Sequence, residues 1–561
     1  SSALPPDAAG LETYVARSIV TIADMCLRIF KGAGFPGADN TSSSRKDISM
    51  ATNRCGGYSY WLIGIVPLVL VAMTSRAANA DSPGVAAPED ASTSPSQATE
   101  PSPPDDVAPA PDDKPLPGPK YLGLRYNEDF SYLDGPEGSY RPDFFDPIKH
   151  IHVTDDLTLS VGGSLRARLE SLTNPTFGAT LRTQDTYFLH RYFLHTDLRY
   201  RNLARFYFEG VNAMIEDRDY PLLGIHENRW DFHQAFVDLR VLGEKSPLTL
   251  RIGRQELLYG AQRLISPLDW SNTRRRFDGV KLFYTNEQFD ADFFYMRPIP
   301  IDLSEGLNRK PDEYREEQHF YGFYGTYKGI PNHHLDLYIL GLHDTGDLRN
   351  ANGRVGDRTL LTAGSRFGGK AGDFDYDTEL MGQWGTFAGD TIRAWGAAAD
   401  AGYTFRELAW KPRLGVGFDY GSGDDDPTDG AHETFNQLFP LGHAYLGYLD
   451  LFARQNVLAS NVNLTVKPHE KVTAKLTWMT FWSDSEKDAL YNAGGAAVRR
   501  DVSGYSGHDI GNELDLTVKC QIDVHQSLLL GYSHFWGTNF IRTTGPSEDA
   551  DLIYAQYEFK F

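Results

Sequence analysis

Cysteine is nearly absent. The 561 residues hold three, Cys26, Cys55 and Cys520. Two of these precede a processing signal, so only Cys520 is expected in the mature chain. A lone thiol excludes an intrachain disulfide framework and a cysteine metal centre. Basic charge is also short: 54 Lys and Arg stand against 75 Asp and Glu, for a net charge of −21. That balance excludes nonspecific binding to nucleic acid. Long apolar runs are scarce, and helical periodicity is missing after residue 150. No Gly-x-Ser-x-Gly elbow, Walker loop or His-Glu-x-x-His motif occurs. Ser533 and His534 lie near Asn539, but adjacent residues on a strand point to opposite faces and cannot cooperate. The chain is therefore not read as an enzyme, and no cofactor is expected.

What the front of the chain does contain is processing and tether. Residues 1–49 precede a better start at Met50 and read as an upstream extension or a misassigned start. From Met50, Arg54 supplies a positive region, Trp61 to Met73 an apolar run, and Ala78-Asn79-Ala80 small residues at the spacing a signal peptidase reads. The run is shorter than the ~20 residues a membrane-spanning helix needs. Residues 50–80 are thus a signal peptide cleaved near Ala80. Residues 81–119, rich in Pro, Ala, Ser and Asp, have little to bury and read as a disordered linker. Residues 120–150 are mixed and aromatic, a lead-in that packs as a plug or as a periplasmic cap.

The body, residues 151–561, repeats one pattern. In "LTLSVGGSLRARLE", Leu157, Leu159, Val161, Leu165, Ala167 and Leu169 share one face of an extended strand, and Ser164, Arg166, Arg168 and Glu170 the other. "FDYDTELMGQW", "AAADAGYTFR" and "ELDLTVKC" alternate in the same way, as does the terminal "DLIYAQYEFKF". Tight polar turns ("KGIPNHH", "KPHEK", "QIDVHQ") take turns with long Asp- and Gly-bearing loops, such as "DDDPTDGAHETFNQLFPLGHAYLG". Short turns at one end and long loops at the other are the build of an outer-membrane barrel. Aromatics make up 13% of the chain and fall near strand ends, where lipid meets water. In lipid every backbone group must pair within the protein, so the sheet must close. At roughly 22 residues per strand and connection, the body holds about 18 strands, within a range of sixteen to twenty. The expected class is all-β, a transmembrane antiparallel barrel wide enough for an aqueous channel. Its expected setting is the outer membrane of a diderm bacterium. The bilayer is then one partner, and the barrel assembly machinery, engaged through the C-terminal Phe561 strand, another.

Four stretches carry a family resemblance: "LRIGRQEL" (Leu250–Leu257), "LDW" (Leu268–Trp270), "GVGFDYGSGDDD" (Gly415–Asp426) and "DIGNELDLTV" (Asp509–Val518). Together they resemble the alginate export family of outer-membrane proteins. The resemblance implies an eighteen-stranded barrel whose arginine-rich constriction selects an anionic polysaccharide. Arg166 and Arg191 fall near basic positions of that family. Glu256 stands where the alginate exporter has an arginine, and His233 where it has another basic residue.

The pore-lining and substrate candidates are Arg166, Arg168, Arg191, His233, Arg251, Arg254, Glu256, Arg274, Arg275 and Arg276. The run Arg274–Arg276 reads either as a basic patch in or over the pore, raising local anion concentration, or as a solvated loop paired with Asp269 and Asp278. Asp424, Asp425 and Asp426 offer oxygens for Ca²⁺, but their spacing does not fit an EF-hand, and an acidic surface loop is the favoured reading. The expected function is passive passage of an anionic polysaccharide or oligosaccharide. A porin for small solutes and a receptor or adhesin with a closed pore are the alternatives.

Overall fold

Period-two segments flanked by turns give strands, and the computed structural model describes residues 116–303 and 310–561 of the chain. The upstream extension, the signal peptide and all but the last four residues of the linker lie outside the described residues, as do Cys26 and Cys55. Eighteen strands make one antiparallel sheet. They are β1 Leu157–Thr173, β2 Gln184–Tyr200, β3 Ala204–Glu216, β4 Asn228–Arg240, β5 Leu248–Gln255, β6 Phe277–Thr285, β7 Phe289–Pro298, β8 Gln318–Tyr327 and β9 His333–Arg349. The second half comprises β10 Val355–Ala371, β11 Phe374–Phe387, β12 Asp390–Thr404, β13 Arg413–Gly421, β14 Val457–His469, β15 Val472–Trp482, β16 Asp509–Gln521, β17 Gln526–Gly537 and β18 Ala550–Lys560.

Each strand pairs with its sequence neighbour, and β18 pairs with β1 from Lys560 opposite Ser164 to Asp551 opposite Thr173. The ring is therefore closed and has no edge, which is what a sheet in lipid requires. Closure extends past the last strand residue: the Phe561 and Gly163 main chains exchange N–H···O bonds of 2.9 and 2.8 Å.

The alternation puts the apolar faces outside. Leu169, Leu194, Ile252, Leu337, Ile339, Leu380, Val416, Val462 and Leu530 are all exposed, while Arg166, Arg168, Glu170, Arg191, Glu379, Glu513 and Asp515 are buried. In water such an inverted pattern would be a large aggregating patch. Around a bilayer it is the lipid-facing band of a barrel. Exposed aromatics mark its edges: Phe289 stacks near Tyr327 at 4.9 Å and Phe374 meets Tyr403 at 4.8 Å by the short turns, and Trp478 lies over Trp536 at 5.4 Å toward the long loops.

Short turns (201–203, 286–288, 372–373, 470–471) occupy one rim, and long connections (256–276, 299–317, 422–456, 483–508) the other. The one α-helix among the described residues is Asn539–Thr544. No described helix is long and apolar enough to cross a membrane.

The interior is not empty. Leu257, Leu264 and Ile265 of the connection 256–276 pack with Phe435 and with wall residues Phe277, Phe320, Leu340 and Ile392. Leu446, Leu449 and Phe452 pack with Phe481, Phe535 and Leu552.

Candidate functional site

The connection 256–276 departs from β5 at the end of the "GRQ" motif. There Gly253 has φ +128°, and an added Cβ would run into the carbonyl oxygen of Ala235. Only glycine takes this conformation without strain. Arg251 and Arg254, on either side of Gly253, are both buried.

Glu256, the first residue of the connection, is fully buried. Arg274 donates to both its oxygens at 2.5 and 2.7 Å, and His233 Nε2 lies 2.6 Å from Oε1. This base of the loop is closed by one bidentate guanidinium, the strongest geometry for such a pair.

From there the connection crosses the lumen. At one wall, Arg166 donates to the main-chain oxygens of Asp269 and Ser271, each at 2.6 Å. Arg168 donates to the Trp270 oxygen at 2.8 Å, pairs with Glu170 and lies 4.0 Å over the Trp270 ring. Arg191 donates to Ser271 O at 3.0 Å and to Asp269 Oδ1 at 2.9 Å. Asp269 also receives Arg274 at 2.5 Å. At the facing wall, Arg263 is 1% exposed and reaches three carboxylates: Asp377 at 2.6 Å and Glu379 at 3.1 Å on β11, and Asp400 at 2.6 Å on β12.

A second connection, 422–456, lies on the first. Phe439 exchanges main-chain bonds with Leu264 and Ser266, Leu441 N donates to Gln262 O, and Tyr445 donates to Ala261 O. Arg454, fully buried, holds Asp419 through two nitrogens and donates to Arg263 O at 2.9 Å. Arg275 donates to Phe439 O at 2.6 Å.

The lead-in approaches from the short-turn rim. Arg125 donates to both oxygens of Glu209 at 2.5 and 2.7 Å, with both groups buried. Tyr126 packs against Tyr207 and Phe236, and the Arg251 guanidinium lies 4.3 Å over its ring. Gly123 O accepts Arg274 at 2.9 Å, so the lead-in touches the crossing loop itself.

Nine of the ten sequence candidates are buried and Arg275 is partly exposed; each is held by a protein partner. Arg251 is bidentate to Asp238, Arg254 to Asp278, and Arg276 pairs with Asp231 and with Asp312 at 2.7 Å. The solvated-loop expectation for Arg274–Arg276 is corrected. The loop is buried within the barrel, and although Arg274 does take Asp269, Asp278 belongs to Arg254. Of the acidic triplet, Asp424 turns inward, while Asp425 and Asp426 remain in solvent and Asp426 caps Thr428. Burial and the neighbouring Asp488 push the Asp424 carboxyl up to about 6. Sequence reasoning missed Arg263, Arg454, Arg125 and their acids. A single arginine inside "AQRLIS" was the available signal for Arg263.

Water-accessible cavities lie on either side of the loops. The inner one, of about 430 Å³, is bounded by Arg263, Arg366, Arg413, Asp377, Asp400 and Asp515. The outer one, of about 760 Å³, opens on the long-loop side and includes Arg349, Arg358, Arg499, Arg500, Asn436 and Gln437. No Asp or Glu is among the described residues lining this vestibule.

A comparison with curated proteins gives no match. Among solved structures, OpdQ of Pseudomonas aeruginosa is 13% identical, with a TM-score of 0.48 over 72% of this chain and 97% of its own. OprD of the same organism gives 12%, 0.48, 72% and 93%, and OccK8 (OprE) 11%, 0.47, 74% and 100%. The family model described as alginate export matches residues 157–555, the whole barrel but for its last few residues. With the closed eighteen-strand ring and its lipid-facing band, this match identifies the chain as an outer-membrane channel of the alginate export family.

Proposed function

We propose that this channel passes an anionic saccharide, a uronate oligomer or polymer, by passive diffusion through the outer vestibule and past the crossing loops. The observation that carries this reading is the vestibule's one-signed lining. Arg500 leans on Asp488 at 3.0 Å and Arg358 faces Asp344 at 3.7 Å. The partners found for Arg349 and Arg499 are neutral carbonyls, Gly353 O for the first and Ile541 O and Pro546 O for the second. Positive charge in a low-dielectric funnel raises the local concentration of anions, and the amides of Asn436 and Gln437 suit sugar hydroxyls. The crossing arginines act differently in this reading. They fix the loop that sets the bore, and their charges are neutralised within the protein.

The bore supports a second reading, in which the cargo is a small anion. Residues 256–276, 422–456 and the lead-in all occupy the lumen, which favours a narrow solute over a polymer. Single-channel recording in planar bilayers separates the two. Polyuronate added on the vestibule side should block the current while neutral dextran of equal length does not. Block by short uronates alone assigns the small-anion cargo, and no block by any uronate removes the polysaccharide reading but leaves the porin one. Export through the signal peptide and insertion through the Phe561 strand belong to the same proposal.

A further inference from the structure

The short-turn rim carries a cluster that the channel function does not use. Asp134 ends the 3-10 turn Ser131–Asp134 of the lead-in. His150 and His152 flank Ile151 at the start of the short strand Ile151–Thr154, which pairs with β1 through Ile151 opposite Leu159 and His152 opposite Thr158. His150 N donates to Ser160 Oγ at 3.0 Å, which pins that end to β1. His150 precedes the strand with a left-handed φ of +48°, and both imidazoles turn to one carboxylate. His150 Nε2 lies 3.0 Å from Asp134 Oδ2, and His152 Nε2 lies 2.7 Å from Oδ1. The two rings stand 5.1 Å apart and nearly perpendicular.

We propose that Asp134, His150 and His152 form a binding site for a divalent transition-metal ion of the zinc type, which fastens the lead-in to the first barrel strand at the short-turn rim.

Three arguments support this. First, the donor set is two imidazole nitrogens and one carboxylate oxygen. Such a set suits Zn²⁺, Co²⁺ or Ni²⁺, whereas Ca²⁺ and Mg²⁺ take mostly oxygen ligands. Second, the geometry is close to what the ion needs. Tetrahedral bonds of 2.0–2.1 Å place ligand atoms about 3.4 Å apart, and here the three ligand atoms lie within 4.8 Å of one another. Small side-chain rotations open the two short contacts to that separation. Third, the site keeps access to water. The side chains of His152 and Asp134 are each 53% exposed and that of His150 17%, so an ion can enter and keep a water as its fourth ligand. The other convergent donor set, Glu209, His233 and Glu256, has no exposed side chain, and Arg125 and Arg274 already hold its carboxylates. Because Asp134 lies on the lead-in and both histidines beside β1, a bound ion crosslinks segments otherwise joined through Gly135–Lys149.

The test is Co²⁺ absorption on the tag-free mature chain in detergent. One Co²⁺ per chain should give the visible bands of a tetrahedral N/O site, displaced by an equivalent of Zn²⁺. His152→Ala and, separately, Asp134→Asn should abolish the bands and weaken binding by more than the roughly 10–100-fold that loss of an outer-shell partner costs. Asp134 lies outside the barrel sheet, so its variant remains informative if His152→Ala perturbs the strand. Retention of the heat-dependent gel shift of an intact barrel verifies each fold. Absence of stoichiometric Co²⁺ binding overturns the proposal. So do bands that survive both substitutions, which would place the ion at Glu209–His233–Glu256.

Discussion

Replacing Arg263 with alanine should change both the size and the selectivity of the pore. The side chain is the anchor of the crossing loop at the β11–β12 wall, with carboxylates at 2.6, 3.1 and 2.6 Å. Asp377 is shared with Arg366, which also takes Asp336 at 2.9 Å. The local cluster thus sets two guanidinium groups against four carboxylates, Asp336, Asp377, Glu379 and Asp400, a formal −2 that the substitution makes −3. Removing one partner of a buried ion pair costs about 3–5 kcal/mol. Here the Asp377 side chain is 19% and that of Asp400 33% exposed toward the inner cavity, so water recovers part of that and the lower end applies. About 3 kcal/mol is roughly a hundredfold shift in population toward a loop released from this wall. Arg166, Arg168 and Arg191 still hold the other end, so the loop loosens and does not leave. Single-channel recording should show larger conductance with more gating noise. Reversal potentials in a salt gradient should move toward cation preference. Arg263→Lys keeps the charge but not the planar fork and should fall between. Conductance and reversal potential unchanged in a correctly folded Arg263→Ala barrel would refute the claim that this loop sets the bore.

Other consequences are independent of that loop anchor. Arg349→Ala with Arg499→Ala should weaken polyuronate block several-fold while leaving open-channel conductance to small salt nearly unchanged, measured by titration of the current. Gly253→Ala forces an L side chain into a left-handed backbone against Ala235 O, and strain at such a position costs on the order of 1–3 kcal/mol. It should lower the temperature at which the folded gel band disappears. The lead-in should respond to pH. Burial pushes the Glu128 carboxyl up to about 7, against the pull of Lys149, whose ammonium burial pushes down to about 8. An acid raised on docking makes docking strongest below its ordinary value near 4.5 and weaker as pH rises through about 7. Lys149 is charged throughout that window and adds no slope. Amide exchange of residues 120–134, corrected for intrinsic rate, should therefore be faster at pH 7 than at pH 5.5, and Glu128→Gln should flatten the difference. Deleting Phe561 removes its two main-chain bonds to Gly163 and its ring contact with Phe145 at 5.2 Å. Less barrel should then reach the outer membrane, scored on membrane fractions.

Much of the barrel was legible because its code is local. Leu165, Ala167 and Leu169 against Arg166, Arg168 and Glu170 already define two faces, and only the sign of the solvent on each side had to be supplied. The count of about eighteen followed from segment spacing, and the tight turns at 470–471 and 522–525 from Pro, His and Asp runs. The lumen was not legible for the opposite reason. Arg263 meets Asp377, Glu379 and Asp400 more than a hundred positions downstream, and nothing in "AQRLIS" selects those partners over any other inward acid. A long polar connection looks the same in sequence whether it hangs in water or folds back into a tube. What distinguishes 256–276 is that its carbonyls at Asp269, Trp270 and Ser271 are the acceptors for Arg166, Arg168 and Arg191. Side chains read as ligands for a passing anion are already bound to main-chain oxygen. A strand-borne arginine facing a pore has two physically equivalent outlets, a solute anion or an inserted loop, and only the path of the connection decides between them. In the proposed reading the anion-attracting surface lies farther out, at Arg349 and Arg499, whose partners among the described residues are neutral carbonyls. A selectivity measurement on those two residues therefore bears on cargo, whereas one on Arg166 or Arg191 bears on the architecture of the bore.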